Sequence, residues 1–113
     1  MANTPLREPT FLILTALADR AQHGYGILRD VEDISSGRVA LQAGTLYAAL
    51  DRLNSDGWVG VDREEVVDGR LRRYYRLTDA GAARLAAEVE KLQAHTRAAH
   101  QRLRARNPRP GRG

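Results

Sequence analysis

The stretch Ala43-Gly44-Thr45-Leu46-Tyr47-Ala48-Ala49-Leu50-Asp51-Arg52-Leu53-Asn54-Ser55, closed by Asp56-Gly57, decides how this chain folds. Leu46, Leu50 and Leu53 recur at the i, i+4, i+7 spacing that turns one face of a helix toward a core. The spacing predicts a helix from Ala43 to about Ser55, with Ala43, Thr45, Ala48, Asp51, Arg52 and Ser55 facing outward. Two β-rich runs follow at once. Trp58 to Arg63 alternates, Leu71 to Leu77 is rich in strand-favouring residues, and Asp68-Gly69 lies in the segment between them. Asp-Gly is a strong local hairpin signal because both residues tolerate positive φ.

Working outward, the pattern Leu12, Ile13, Ala16 and Leu17 predicts a first helix from Pro9 to Arg20, with proline suited to its first turn. Ala21-Gln22-His23-Gly24 reads as a turn. A second helix is expected from about Tyr25 to Ile34, with Ile27, Leu28, Val31 and Ile34 on one face and Ser35-Ser36-Gly37 closing it. Beyond the hairpin, Thr78 can cap a last helix reaching about Arg106. Residues 1–8 read as a flexible leader and Asn107 to Gly113 as a disordered tail. Three helices followed by a hairpin and a long helix give a mainly α fold class. It is a winged helix-turn-helix domain over residues 9–78 with a C-terminal dimerisation helix over 79–106.

Composition narrows the function. The chain has 113 residues, enough for one domain. It has no cysteine, so disulfides and thiolate zinc sites are excluded. Its longest apolar run, residues 9–18, is too short and interrupted to span a membrane, and no signal peptide is legible. A cytoplasmic protein, associated with the bacterial nucleoid, is the expectation. The net charge is +4, but Arg102, Arg104, Arg106, Arg109 and Arg112 more than account for it. The folded part is therefore slightly acidic, and a nucleic-acid surface has to be a local patch.

Several segments together resemble regulators of the PadR family, in its short subclass with one C-terminal helix. They are His23-Gly24-Tyr25-Gly26-Ile27, then Gly44-Thr45-Leu46-Tyr47-Ala48-Ala49-Leu50-Asp51-Arg52-Leu53, Asp56-Gly57-Trp58-Val59, and Gly69-Arg70-Leu71-Arg72-Arg73-Tyr74-Tyr75-Arg76-Leu77-Thr78-Asp79-Ala80-Gly81. The resemblance spans about residues 9–90 and implies the winged fold, DNA binding and dimerisation; Tyr47 resembles the family tyrosine that contacts a phosphate. Two departures stand out. The family's Ser-Pro before Gly-Thr-Leu-Tyr is replaced by Gln42-Ala43. Glutamine caps poorly, so either the helix start frays without DNA or Gln42 is free to touch a base. The last helix carries no aromatic residue, unlike members that hold planar drugs between their dimer helices.

The residues themselves supply a matching chemistry. Ala43, Gly44, Thr45 and Ala48 at the start of the third helix are small enough to let it sit deep in a major groove, where alanine or a threonine methyl packs on thymine, with Gln42 ahead of them. Tyr47 and Arg52 flank them. On the wing, Arg70, Arg72, Tyr74 and Arg76 share one strand face and Leu71, Arg73, Tyr75 and Leu77 the other. Four arginines within seven residues suit phosphate recognition better than a merely solvated edge. The expected DNA-binding set is Gln42, Ala43, Gly44, Thr45, Tyr47, Ala48, Arg52, Arg70, Arg72, Arg73 and Tyr74.

In the last helix Leu85, Val89, Leu92, Thr96, Ala99 and Leu103 form a heptad seam predicting a homodimer. Any small-molecule effector would act on the spacing of the two wings; none is identified. His23 reads as structural, and His95 and His100 are five apart, off a common helical face. No nucleophile–base pair, phosphate loop or carboxylate dyad points to catalysis, and no metal or cofactor is expected. The competing reading is a winged-helix protein-interaction module without DNA binding. That reading predicts loss of the basic wing face, which this sequence keeps.

Overall fold

The computed structural model describes residues 5–106; the tail expected over 107–113 lies outside the described residues. The element order is α1 (Glu8–Ala16), β1 (Gln22–His23), α2 (Gly24–Ile34), α3 (Ala43–Ser55), β2 (Val59–Val67), β3 (Arg70–Leu77) and α4 (Asp79–Arg106). This is the mainly α winged helix-turn-helix read from the sequence, with one strand added. β1 pairs antiparallel with β3, opposite to β2, in a three-stranded sheet of order β1-β3-β2.

α1 ends earlier than expected, at Ala16 instead of Arg20. Its last turn tightens as Leu17 and Ala18 donate to carbonyls three residues back. The Gln22 side chain then donates to the Ala16 carbonyl at 2.8 Å and to Asp30 Oδ2 at 2.9 Å. This buried amide satisfies a helix-end carbonyl; of Ala21–Gly24, expected as a plain turn, Gln22–His23 pair with β3 as the short strand β1 and Gly24 opens α2. α1 is itself hydrophobic nearly all round: Leu12, Ile13, Leu14, Ala16 and Leu17 are buried. They meet Ile27 and Val31 of α2 and Leu46, Leu50 and Leu53 of α3, with Val59, Tyr75 and Leu85 closing the same core. Leu6, in the segment before α1, packs against it too. Ile34 stays largely exposed, so the core face of α2 ends at Val31.

The hairpin is longer than the two runs suggested. β2 continues to Val67, leaving Asp68 (φ 52°) and Gly69 (φ 76°) as a two-residue turn. Both lie in the left-handed region, as a type I′ turn requires. A bulge interrupts β2 at Asp62, since Val61 faces Tyr75 and Arg63 faces Tyr74. The extra residue flips the alternation of everything beyond it. Arg63, Glu65 and Val67 consequently share a face with Tyr74, Arg72 and Arg70, their direct partners across the ladder.

α4 is anchored where it begins. The Thr78 side chain donates to the Gly57 carbonyl at 2.6 Å and accepts from the Gly81 amide at 3.0 Å, the cap read from the sequence. Glu88 is only 4% exposed, and Arg84 and Lys91 donate to its two oxygens at 3.1 and 3.2 Å. Burial pushes its carboxyl pKa up, but those hydrogen bonds outweigh burial and leave it below the usual value. From Leu92 to Arg106 every residue is exposed, so the helix runs past the domain that anchors it; the described residues measure 66 × 32 × 22 Å.

Candidate nucleic-acid interface

α3 begins at Ala43 as expected, and Gln42 stands at its N-cap without a side-chain capping bond. The turn nevertheless forms, with Leu46 N–H donating to the Gln42 carbonyl at 3.0 Å. Leu46, Ala49, Leu50 and Leu53 are buried. Gln42, Ala43, Gly44, Thr45, Ala48 and Arg52 are all exposed.

Tyr47 leaves one flank of that exposed face, and Arg52 stands on it two turns beyond Thr45. Tyr47 leans over the start of α2, its hydroxyl packed against Gly24. Arg52 borders a separate cleft of about 500 Å³ with Pro5, Leu6, Arg7, Asp56 and Trp58. The Tyr47 flank is the richer one. A cleft of about 340 Å³ there is lined by His23 and Tyr25 at the α2 terminus, Tyr47 of α3, Arg70 and Arg72 of the wing, and Asp68 at its turn. Residues far apart in sequence thus converge on one basic recess.

The start of α2 is built by a histidine. His23 Nδ1 accepts from the Gly26 amide at 3.3 Å, capping the helix. Its ring meets that of Tyr74 edge-to-face, 5.3 Å between centroids. Burial, then the Arg72 charge, lower the His23 pKa, with Glu65 opposing. The neutral imidazole with Nδ1 as acceptor is the form the cap needs.

Not every wing arginine is equally available. Arg73 donates to Glu64 Oε2 at 2.7 Å, directly across the ladder on the face away from Arg70, Arg72 and Tyr74. Arg63, overlooked in the sequence, sits on their side. It donates to Asp62 Oδ2 at 3.0 Å and Glu65 Oε2 at 3.2 Å, with its guanidinium carbon 3.9 Å from the Tyr74 ring centroid. Its signal was the β2 bulge, which simple alternation does not reveal. Hydrogen bonds donated to these carboxylates hold the Arg63 and Arg73 guanidinium pKa values above the ordinary one.

The expected seam of α4 divides. Leu85 is 8% exposed and belongs to the chain's own core, and Val89 packs against that core. Leu92, Thr96, Ala99 and Leu103 are exposed, Leu103 by 61%. Between α1 and α4 lies a groove of about 560 Å³ lined by Phe11, Val89, Leu92, Gln93, Thr96, Arg97 and His100. α1 therefore supplies the aromatic ring that α4 lacks. Among the described residues no group of His, Asp or Glu side chains could hold a metal, and no helix is long and apolar enough to cross a membrane.

Residues 13–87 match the model of the transcriptional regulator PadR-like family. The chain is 40% identical over 81 residues to the transcriptional regulator Rv3488 of Mycobacterium tuberculosis, covering 72% of each chain. Its fold is similar to that of a PadR family transcription regulator from Clostridium difficile, with TM-score 0.71, 24% identity, and 86% of this chain and 99% of that one covered. It is also similar to Bacillus subtilis PadR solved in complex with operator DNA, with TM-score 0.66 and 21% identity. That match covers 74% of this chain and 48% of the other. The matching model and the Mycobacterium relative place this chain in the PadR-like family of transcriptional regulators, which are not enzymes.

Proposed function

We propose that the protein is a homodimeric, cytoplasmic repressor that binds operator DNA, with α3 in the major groove and the wing on the flanking backbone. The observation that carries this reading is the convergence of Tyr47, the α2 terminus, Arg70 and Arg72 on one recess beside the exposed face of α3. Backbone phosphates fit such a recess because guanidinium forks and amide-rich helix starts both favour anions. The fold of the Bacillus subtilis relative solved on operator DNA supports it.

Within this reading Gln42, Ala43, Gly44, Thr45 and Ala48 meet base edges. Tyr47, Arg70 and Arg72 hold phosphates, Tyr74 shares the strand face of Arg70 and Arg72, and Arg52 reaches the backbone nearer the C-terminal end of α3. Arg73 takes part only by leaving Glu64. Dimerisation uses the apolar strip that the monomer leaves open: Leu92, Thr96, Ala99 and Leu103, flanked by Phe11 and Val89. Leu85 supports the strip from inside the core. A small-molecule effector, where one exists, would act by altering how the two long helices pack. Footprinting on DNA upstream of the protein's own gene, with sedimentation of the free protein, tests both halves. A protected site with two half-sites about one helical turn apart and a dimeric mass are expected. A monomer, or no protection, would refute the reading.

A further inference from the structure

The wing is close to electrically neutral. Between Val59 and Leu77 stand Arg63, Arg70, Arg72, Arg73 and Arg76 against Asp62, Glu64, Glu65 and Asp68, so the arginines cannot be counted as a bare basic face. Glu65 is the notable acid. The Asp62 bulge turns it onto the side of Arg70, Arg72 and Tyr74, directly opposite Arg72. A carboxylate there repels phosphate, and nothing in strand packing requires it, because its side chain is 43% exposed. What Glu65 does is hold Arg63: its carboxylate accepts from Arg63 Nε at 3.2 Å, while the guanidinium lies over the Tyr74 ring at 3.9 Å.

A carboxylate and a phosphodiester offer the same paired oxygen acceptors to an arginine fork. We propose that Glu65 is an intramolecular stand-in for a DNA phosphate. In the free protein it keeps Arg63 folded over Tyr74; on DNA a backbone phosphate displaces it and Arg63 becomes a further phosphate ligand of the wing. Tyr74 is the platform for that exchange, since its stacking on the guanidinium survives a change of anion. Its ring is itself braced by His23. The inference rests on the reading of the wing as a DNA-backbone element.

Titrations of the full chain against operator and random DNA at several salt concentrations test it. Arg63→Ala should weaken binding to both DNAs and flatten the log–log salt slope by about 0.9, the loss of one phosphate contact. Glu65→Gln should tighten binding to both by about two- to fivefold, the worth of an exposed ion pair that no longer has to break. In the Arg63→Ala background the Glu65→Gln gain should shrink to the relief of the carboxylate's own repulsion of phosphate. An Arg63→Ala slope equal to the parent's overturns the proposal, as does a Glu65→Gln gain as large without Arg63 as with it. Arg72→Ala separates this from the underlying reading. If Arg72→Ala weakens binding while Arg63→Ala does not, only the exchange fails; if neither matters, the wing does not touch DNA.

Discussion

The hydroxyl of Tyr47 rests against Gly24, so that a Cβ at residue 24 would overlap it and stand 2.6 Å from the ring Cζ. The first residue of α2 and an exposed tyrosine of α3 are thus fixed to each other by the absence of a side chain. Gly24→Ala is expected to push the exposed Tyr47 ring out of the recess at a small cost in stability, because the clashing atoms are the outer end of a side chain that can swing away. It should also weaken DNA binding irrespective of sequence. Adding Tyr47→Ala removes the clash, so the double variant should melt near the Tyr47→Ala parent. Thermal melts and DNA titrations of the three variants check this, and a Gly24→Ala protein as stable and tight-binding as the parent would refute it.

Wing and helix should fail in different ways. Arg72→Ala removes a phosphate contact, so affinity should fall equally for all sequences and the salt slope should flatten by about 0.9. Thr45→Ala or Gln42→Ala should instead relax preference at one base pair per half-site, by about 1–3 kcal/mol where a base contact is lost, with the slope nearly unchanged. Titration against operator, single-base variants and random DNA distinguishes the two patterns. A change of base preference in Arg72→Ala alone would reverse the assignment.

The seam of α4 calls for two kinds of substitution. Leu92 and Leu103 are exposed in the single chain, so replacing both by arginine should give a monomer whose domain stays folded and whose operator affinity drops steeply. Leu85→Ala removes a core side chain and should cost about 2–5 kcal/mol whether or not the protein is dimeric. Sedimentation and far-ultraviolet circular dichroism separate these effects. An unchanged dimer in the double arginine variant would move the interface elsewhere.

His23 makes stability depend on pH. Its pKa is lowered in the folded chain by burial and then by Arg72, so the unfolded state binds the proton more readily. The stabilisation is fully present above the ordinary histidine value of about 6.5 and is lost as pH falls through the lower folded value. Protonation of Nδ1 would also end the bond from the Gly26 amide. Urea midpoints measured from pH 8 to pH 5 should therefore decline more steeply in the parent than in His23→Asn, which keeps a capping oxygen and does not titrate. Parallel declines would exclude His23 as the source.

Local pattern was enough for most of the fold. The bounds of α3, the Asp68-Gly69 turn and the Thr78 cap were all legible because each depends on residues within a few positions of one another. The exposed α3 face followed from helical period alone. What depended on distant partners was not legible. α1 stops at Ala16 because Gln22, six residues on, takes its carbonyl and carries the chain into a third strand. Leu85 and Leu92 look alike in a heptad, yet one is core and the other exposed, because only the first reaches the domain beneath. Most consequential is Asp62. One extra residue in β2 moves Arg63 and Glu65 to the face of Tyr74 and Arg72, and strand alternation counted along the sequence places them on the other. Side-chain direction within an element is a local property, whereas the register between two strands exists only once they are paired.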